Sequence, residues 1–412
     1  MGLRARLLPL LGGNVFAQLL QIAAIPLLTR FYGPERYGEY GLFAASLLFS
    51  SMVATLRYEL AIQLPKSDSL ASCIAALCLA IASMLSLVVF GLAFVLLPRI
   101  SNIVDVGQFS ILLAASTLFL GVHNILNALS LRFGQYRING LVKIVQVGVG
   151  SGSALLLYWE GNNRFGLMYG NVLGYLMASL LLLLRLRKRL LFTSVGGDTL
   201  RAIRVVAKRY SSFAIFNAPQ ALLDGMRPML VVSFIQNTYG GSAAGFYHIA
   251  NQLLQTPASV VTQAFSQVHF RYLVESIGTS GIRPLMRRHL LLLSSVAFVG
   301  VLATFLTAAP LTTLLFGSKW IGLDQTLTAL IVLVAVNLIV APLVFVFHAK
   351  RKHREFFAWG SIYNLMAIAS IWFGCSYFSE VNNALRFYAF VSSSILLAIG
   401  VHSVKLSLEQ KY

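Results

Sequence analysis

The stretch "NAPQALLDGMRPML", Asn217 to Leu230, sits inside an apolar run that is otherwise long enough to cross a bilayer, yet it carries an aspartate, an arginine and two prolines. Whether it is a membrane span decides the fold, because counting it gives an even, divisible set of helices. The chain around it has 412 residues, of which 58% are hydrophobic and 11% charged, with a mean hydropathy of +0.77. Soluble domains are roughly 45–50% apolar and about 25% charged, so only a polytopic membrane protein fits. A membrane helix needs about 20 mainly apolar residues. Twelve such runs are centred near residues 19, 50, 84, 119, 150, 175, 223, 255, 298, 335, 366 and 395, and they leave no soluble domain. The runs near 223 and 255 are the least apolar.

The formal charge of +19 would suggest nucleic acid in a soluble protein. Here the basic residues fall in short clusters between apolar runs without a continuous basic face, so no nucleic acid is expected. With the N-terminus inside, 24 of the 32 Lys and Arg residues lie on the cytoplasmic side, 6 on the opposite side, and Arg57 and Arg227 within spans. This asymmetry predicts cytoplasmic N- and C-termini. The opening "MGLRARLLPLLGGNVFAQLLQIAAIPLL" has a signal peptide's basic start and apolar body but no clear small-residue cleavage site, and is read as a retained first helix. Cys73, Cys78 and Cys375 lie in apolar runs without metal or disulfide spacing and are read as packing residues.

The longest connection, "RLRKRLLFTSVGGDTLRAIRVVAKRY", predicts a basic cytoplasmic linker over 185–210 between six-helix lobes at 1–184 and 211–412. The openings of the two lobes look alike. Gln18 and Pro26 match Gln220 and Pro228 at an offset of 202, and Gly38 and Tyr40 match Gly245 and Tyr247 at 207. Six spans per half make this a parallel repeat about an axis along the membrane normal, an organisation typical of transporters with a central cavity. The fold class read from the sequence is therefore all-α integral membrane, with about twelve transmembrane helices in two pseudo-symmetric lobes around that cavity.

Polar residues within spans cost roughly 2.5–3.5 kcal/mol per charge on insertion scales, so they face protein or water. Asn217, Gln220, Asp224 and Arg227 are spaced to share one helical face. Asn14, Gln18 and Gln21 form a second stripe, and Asn251, Gln255, Ser259, Thr262 and Ser266 a third. His123, Asn127 and Ser130 add polarity in the fourth span, and Arg57 and Glu59 in the second. These stripes are read as the wall of one wet cavity, with Asp224 and Glu59 as candidates for a coupling proton or sodium ion. Asp224 and Arg227 are also close enough to neutralise each other as a static pair. His123, His248, His269, His348 and His402 are scattered, and no metal site or cofactor is expected. Pro26 and Pro228, with Pro219, Pro257 and Pro342, interrupt spans and bend helices. "GVGSGS" at 148–153 is read as close helix packing through Gly148 and Gly152. No phosphate loop, His-Glu-x-x-His or nucleophile elbow is present, so no catalytic residue is assigned and the chain is read as not an enzyme.

"GNVFAQLLQIAAIPLLTRFYGPERYGEYGLF" followed by "LRYELAIQLP" resembles the opening of bacterial polysaccharide (O-antigen type) flippases, a branch of the multidrug/oligosaccharidyl-lipid/polysaccharide exporter superfamily. The span count, the basic middle loop and "AAGFYHIANQ" extend the resemblance over most of the chain. Arg30, Gly33, Tyr37, Gly38, Tyr40, Arg57, Tyr58 and Glu59 stand at family-typical positions. The resemblance implies a flippase in the bacterial inner membrane that moves undecaprenyl-diphosphate-linked oligosaccharide among membrane lipids, alongside other polysaccharide-assembly proteins, for O-antigen and lipopolysaccharide. Arginine suits a diphosphate, so Arg57, Arg227 and Lys143 are candidate contacts, and Tyr40, Tyr247 and Phe246 are candidate sugar-stacking rings. A multidrug or small-molecule antiporter of the same superfamily is the alternative. A membrane polymerase or ligase would be expected to expose a large external loop, whereas the external loops read here are short.

Overall fold

In a computed structural model, residues 3–100, 105–187, 197–211, 218–277, 279 and 281–409 are described, and they form fourteen α-helices with no strand among them. In chain order these are α1 (Leu3–Phe31), α2 (Pro34–Val53), α3 (Asp68–Ile100), α4 (Val106–Arg132), α5 (Tyr136–Trp159), α6 (Gly166–Leu186) and α7 (Gly197–Arg209). They continue with α8 (Ala218–Tyr239), α9 (Gly241–Ser276), α10 (Ile282–Phe316), α11 (Leu323–Val340), α12 (Phe345–Ala349), α13 (His353–Tyr377) and α14 (Val381–Leu408).

Each of the twelve predicted span centres falls in a separate helix of at least 18 residues. Nine of the described helices are long and apolar enough to cross a membrane, which makes the chain a multi-pass membrane protein. The other three of the twelve are α2, α8 and α9. They are long enough, at 20, 22 and 36 residues, and fall short in hydropathy, α8 and α9 because they carry polar stripes and α2 because Glu35, Arg36 and Glu39 crowd its first turns. Helical geometry is imposed by the hydrocarbon, where a backbone amide finds no partner outside its own segment.

The chain divides into two compact units, Met1–Tyr32 with Glu39–Met229, and Gly33–Gly38 with Leu230–Tyr412. The division runs within α2 and α8. In the first unit α1 packs along α5, α5 on α6, and α4 on both α3 and α6. A core of Tyr58, Ile62, Ile74, Leu126, Leu182 and Leu186 also receives Val206 of α7. Ile203, Ala207 and Tyr210 join Val206 on that core, while Arg204, Lys208 and Arg209 stay exposed. The second half of the basic connection is therefore an amphipathic helix, and residues 188–196 of it lie outside the described residues. In the second unit α9, α10 and α14 surround α11, the most apolar span, and α13 lies on α14.

Close approach is bought with glycine. The stretch "GVGSGS" does pack closely, but not through the expected pair: Gly152 has open space around it and Gly148 meets only the Leu20 side chain, at 4.0 Å. The close contact is instead made by Gly150 of α5 with Gly170 and Gly174 of α6. A Cβ on Gly174 would lie 2.7 Å from the Gln146 carbonyl oxygen, and one on Gly170 would strike the Gly150 carbonyl oxygen.

A second crossing joins the first turns of α2 and α9. A Cβ on Gly38 would collide with the Gly241 carbonyl oxygen, and one on Gly245 with that of Pro34. The helices begin at Pro34 and Gly241, 207 positions apart, the same offset that relates Gly38 to Gly245. The contact is thus reciprocal, as a pseudo-two-fold demands.

Two prolines depart from expectation. Pro219 is the second residue of α8, where a missing N–H costs nothing, so it does not interrupt the helix. Pro342 stands in the turn between α11 and α12 and ends the former. Pro26, Pro228 and Pro257 lie inside α1, α8 and α9.

Gly170→Val should cost about 1–3 kcal/mol through overpacking against α5, seen as a lower midpoint of thermal unfolding in detergent. Gly152→Ala, facing open space, should be neutral or stabilise by up to about 1 kcal/mol.

Candidate functional site

A charged pair stands where α2 ends. Leu56 (φ 47) and Arg57 (φ 64) are left-handed, a conformation that costs a non-glycine residue about 1–3 kcal/mol. They turn the chain from α2 into a 3₁₀ helix at Tyr58–Gln63. Arg57 and Glu59 therefore lie beyond the end of the second span rather than within it as the sequence suggests; hydropathy does not register a change of backbone hand.

The turn is pinned by side chains. The buried Tyr58 donates from Oη to the Ala207 carbonyl of α7 at 3.0 Å. Thr55 Oγ1 donates a short hydrogen bond to Glu59 Oε2. Arg57 Nη1 stands 3.8 Å from Glu59 Oε1, and Arg57 Nη2 is 3.2 Å from Met52 Sδ. The Arg57 side chain is 30% exposed and that of Glu59 13%. A thioether is a weak acceptor, so this contact satisfies one side of the guanidinium only weakly.

Met52 also meets α8. A Cβ on Gly225 would lie 2.9 Å from Phe49 Cα and 3.3 Å from Met52 Cγ. The turn holding Asp224 and Arg227 thus packs on the last turns of α2, with Met52 touched by Arg57 on one side and by α8 on the other. Asp224 is exposed and Arg227 half-buried. Gln220 belongs to the first turn of α8, while Asn217 lies outside the described residues.

A second polar group gathers in the same unit from α2, α4, α5 and α6. Buried His123 of α4 stands edge-on to Tyr175 of α6, with ring centroids 6.0 Å apart. Lys143 of α5, exposed, acts on His123 electrostatically, and Gln146 of α5 hydrogen-bonds Tyr175. Asn171 Nδ2 donates to Tyr40 Oη at 3.4 Å. Gln146, Asn171 and Tyr175 escape a reading of the sequence because their partners lie on other helices, although Asn139, Lys143 and Gln146 in α5, and Asn171 and Tyr175 in α6, are spaced to share a face. The available signal is their spacing beside Gly170 and Gly174, where small residues let polar groups from two helices meet.

Gln18 is half-buried on α1, one turn after Asn14, whose Oδ1 is buried without a hydrogen-bond partner. Asn251 and Gln255 are half-buried on α9 in the second unit. Tyr247 is buried and Phe246 packs on Trp320, with centroids 5.7 Å apart; both act as packing residues in the second unit. Among the described residues the structure therefore brings together Arg57 with Glu59, the Asp224–Arg227 turn with Met52, and Lys143 with His123.

The family described as polysaccharide biosynthesis protein matches residues 27–325. No curated protein matches the chain significantly. Among solved structures, an inward-facing multidrug resistance MATE family transporter of the MOP superfamily aligns with a TM-score of 0.69 at 13% identity, covering 95% of this chain and 94% of that one. The lipid II flippase MurJ in an inward closed conformation aligns at 0.67 and 12% identity, covering 96% and 89%. A MOP superfamily transporter from Pyrococcus furiosus aligns at 0.55 and 14% identity, covering 97% and 94%. Identities this low establish the fold, which is that of the MATE and MurJ transporters. With its family pattern running through well over half of its length, the chain belongs to the polysaccharide biosynthesis protein family.

Proposed function

We propose that this protein is a flippase that carries undecaprenyl-diphosphate-linked oligosaccharide across the bacterial inner membrane for O-antigen or another surface polysaccharide. It works by alternating access of two six-helix lobes, 1–184 and 211–412, joined by the basic linker 185–210, with both termini cytoplasmic. The observation that carries this reading is the family match over residues 27–325 on a fold shared with a lipid II flippase. A transporter role accounts for the chain without enzymatic chemistry.

The residues suit the cargo. A diphosphate is recognised best by guanidinium groups that donate in pairs. Arg57 is half-satisfied by Glu59 and a thioether, and Arg227 lies on the turn packed against the same methionine. Lys143 offers a further positive charge, and Gln18, Gln220, Asn217, Asn251 and Gln255 supply amides for sugar hydroxyls. Asp224 and Glu59 are the carboxylates proposed to take a coupling proton or sodium ion. Membrane lipids and other polysaccharide-assembly proteins are the expected partners.

Arg57→Ala should lower polysaccharide export roughly 10- to 150-fold, the equivalent of a charged hydrogen bond of about 1.5–3 kcal/mol, measured as surface polysaccharide in a complemented deletion strain at equal protein level. Arg57→Lys should retain part of the activity if charge outweighs paired geometry. Asp224→Asn should abolish export while the protein stays in the membrane, and normal polysaccharide in that strain rejects the coupling role.

A second reading, a multidrug or small-molecule antiporter, draws on the likeness to MATE structures. It favours an acidic pathway, whereas Glu59 is already matched by Arg57. Drug susceptibility of the deletion strain separates the two: greater sensitivity with intact surface polysaccharide selects the antiporter.

A further inference from the structure

Two histidines that lie 20 residues apart meet inside the second unit. His269 of α9 and His289 of α10 are 3% and 2% exposed, with ring centroids 4.3 Å apart and Nδ1 atoms 3.3 Å apart. His289 Nε2 lies 3.3 Å from the Ile339 carbonyl oxygen. Phe265, one turn before His269, stacks on it at 5.4 Å and 20°, and presents an edge to His289 at 4.8 Å and 90°.

This geometry fixes the hydrogens. A carbonyl can only accept, so His289 Nε2 carries a proton and its Nδ1 in the neutral ring holds a lone pair. Nδ1 of His269 must then be the donor between the rings. That leaves Nε2 of His269 as a bare, basic nitrogen, and it is buried with no hydrogen-bond partner. A buried polar atom left in this way is rare and calls for a ligand.

We propose that His269 and His289 form a proton-binding site, with Nε2 of His269 the atom that takes the proton, a site separate from the Asp224 and Glu59 carboxylates that gives coupling to a proton gradient its dependence on pH. On protonation the new N–H forms at Nε2, the Nδ1–H bond to His289 is kept, and no other bond breaks. Three features suit the charge. Ile339 is in the last turn of α11, whose exposed carbonyls make a helix C-terminus favourable to a cation. The stacked Phe265 face attracts a cation. The neutral His289 spreads it through the shared hydrogen bond.

One proton fits and a second does not, because two touching imidazolium rings repel. The neighbouring charges lie elsewhere. Arg271 is exposed and paired to Glu275, and Arg283, Arg287 and Arg288 of α10 are exposed. Asp324, the acid of α11, is fifteen residues from Ile339, about 22 Å along the helix. α12 contributes His348, and α14 contributes His402 and Lys405 near its end. Among the described residues no third His, Cys, Asp or Glu completes a metal site.

The proton site stands without the flippase reading; its use in coupling rests on it. The test is nitrogen NMR of the full-length chain, histidine-labelled, in lipid bilayers, with His269→Gln and His289→Gln to assign the rings. At alkaline pH His269 should show a bare Nε2 and His289 a protonated one. Acidification should move only the His269 Nε2 resonance to its protonated position, a step absent in His269→Gln. In His289→Gln the residual ring should lose its Nδ1–H preference. A His269 that is protonated at Nε2 throughout, that never titrates, or that charges together with His289 overturns the site. Surface polysaccharide supplies the second readout: export by His269→Gln should lose its dependence on external pH. Unchanged pH dependence in that variant overturns the coupling. If the deletion strain keeps its polysaccharide, the flippase reading fails while the spectroscopic result still decides the proton site.

Discussion

Hydrocarbon gives a peptide group nothing to bond to, and most of what this chain does follows from that constraint. Backbone amides are satisfied within each segment, so every apolar run becomes a helix. Because the lipid is as apolar as leucine, burying leucine does not hold these helices together. Contact area and hydrogen bonds between helices do. Glycine then matters as much as any large residue. Gly150, Gly170 and Gly174 let α5 and α6 touch backbone to backbone, and Gly38, Gly241 and Gly245 do the same for α2 and α9. The exposed leucines and phenylalanines of α3 and α10 are the complement of this arrangement, being the residues a lipid-facing surface requires.

The α2–α9 crossing also gives the internal repeat a physical basis. Gly38 and Gly245 occupy matching places in the two halves, and each faces a carbonyl at the start of the other's helix. A side chain at either position would push the helices apart, so the same residue is demanded twice by one contact. The matched glycines therefore meet in one close contact within the second unit.

Twelve helices were legible because hydropathy reports burial in lipid directly, and of the three that carry the longest polar stripes, α1, α8 and α9, two are also among the least apolar. The turn after α2 was not legible. Its geometry depends on left-handed Leu56 and Arg57, and neither residue type advertises that hand. The amphipathic α7 was hidden for another reason, since its apolar face of Ile203, Val206 and Ala207 is too short to register beside full spans. Side-chain partners were the least accessible. Gln146 with Tyr175, and His269 with His289, are joined by helix packing, and nothing along the chain shows which residues of different helices will meet.

Those partnerships share a logic with the charged turn. In each, a group capable of strong interaction is held by partners that leave it one vacancy. Glu59 accepts a hydrogen bond from Thr55 and stands within ion-pair distance of Arg57, whose guanidinium also meets the sulfur of Met52. His289 is satisfied at both nitrogens, yet His269 keeps one bare. A protein built only for stability would pair such atoms fully, because an unmet buried polar group costs about 1–3 kcal/mol. That cost falls on His269, which is buried about two turns from the end of α9, whereas Arg57, in the turn after α2, is partly exposed and meets it only in part.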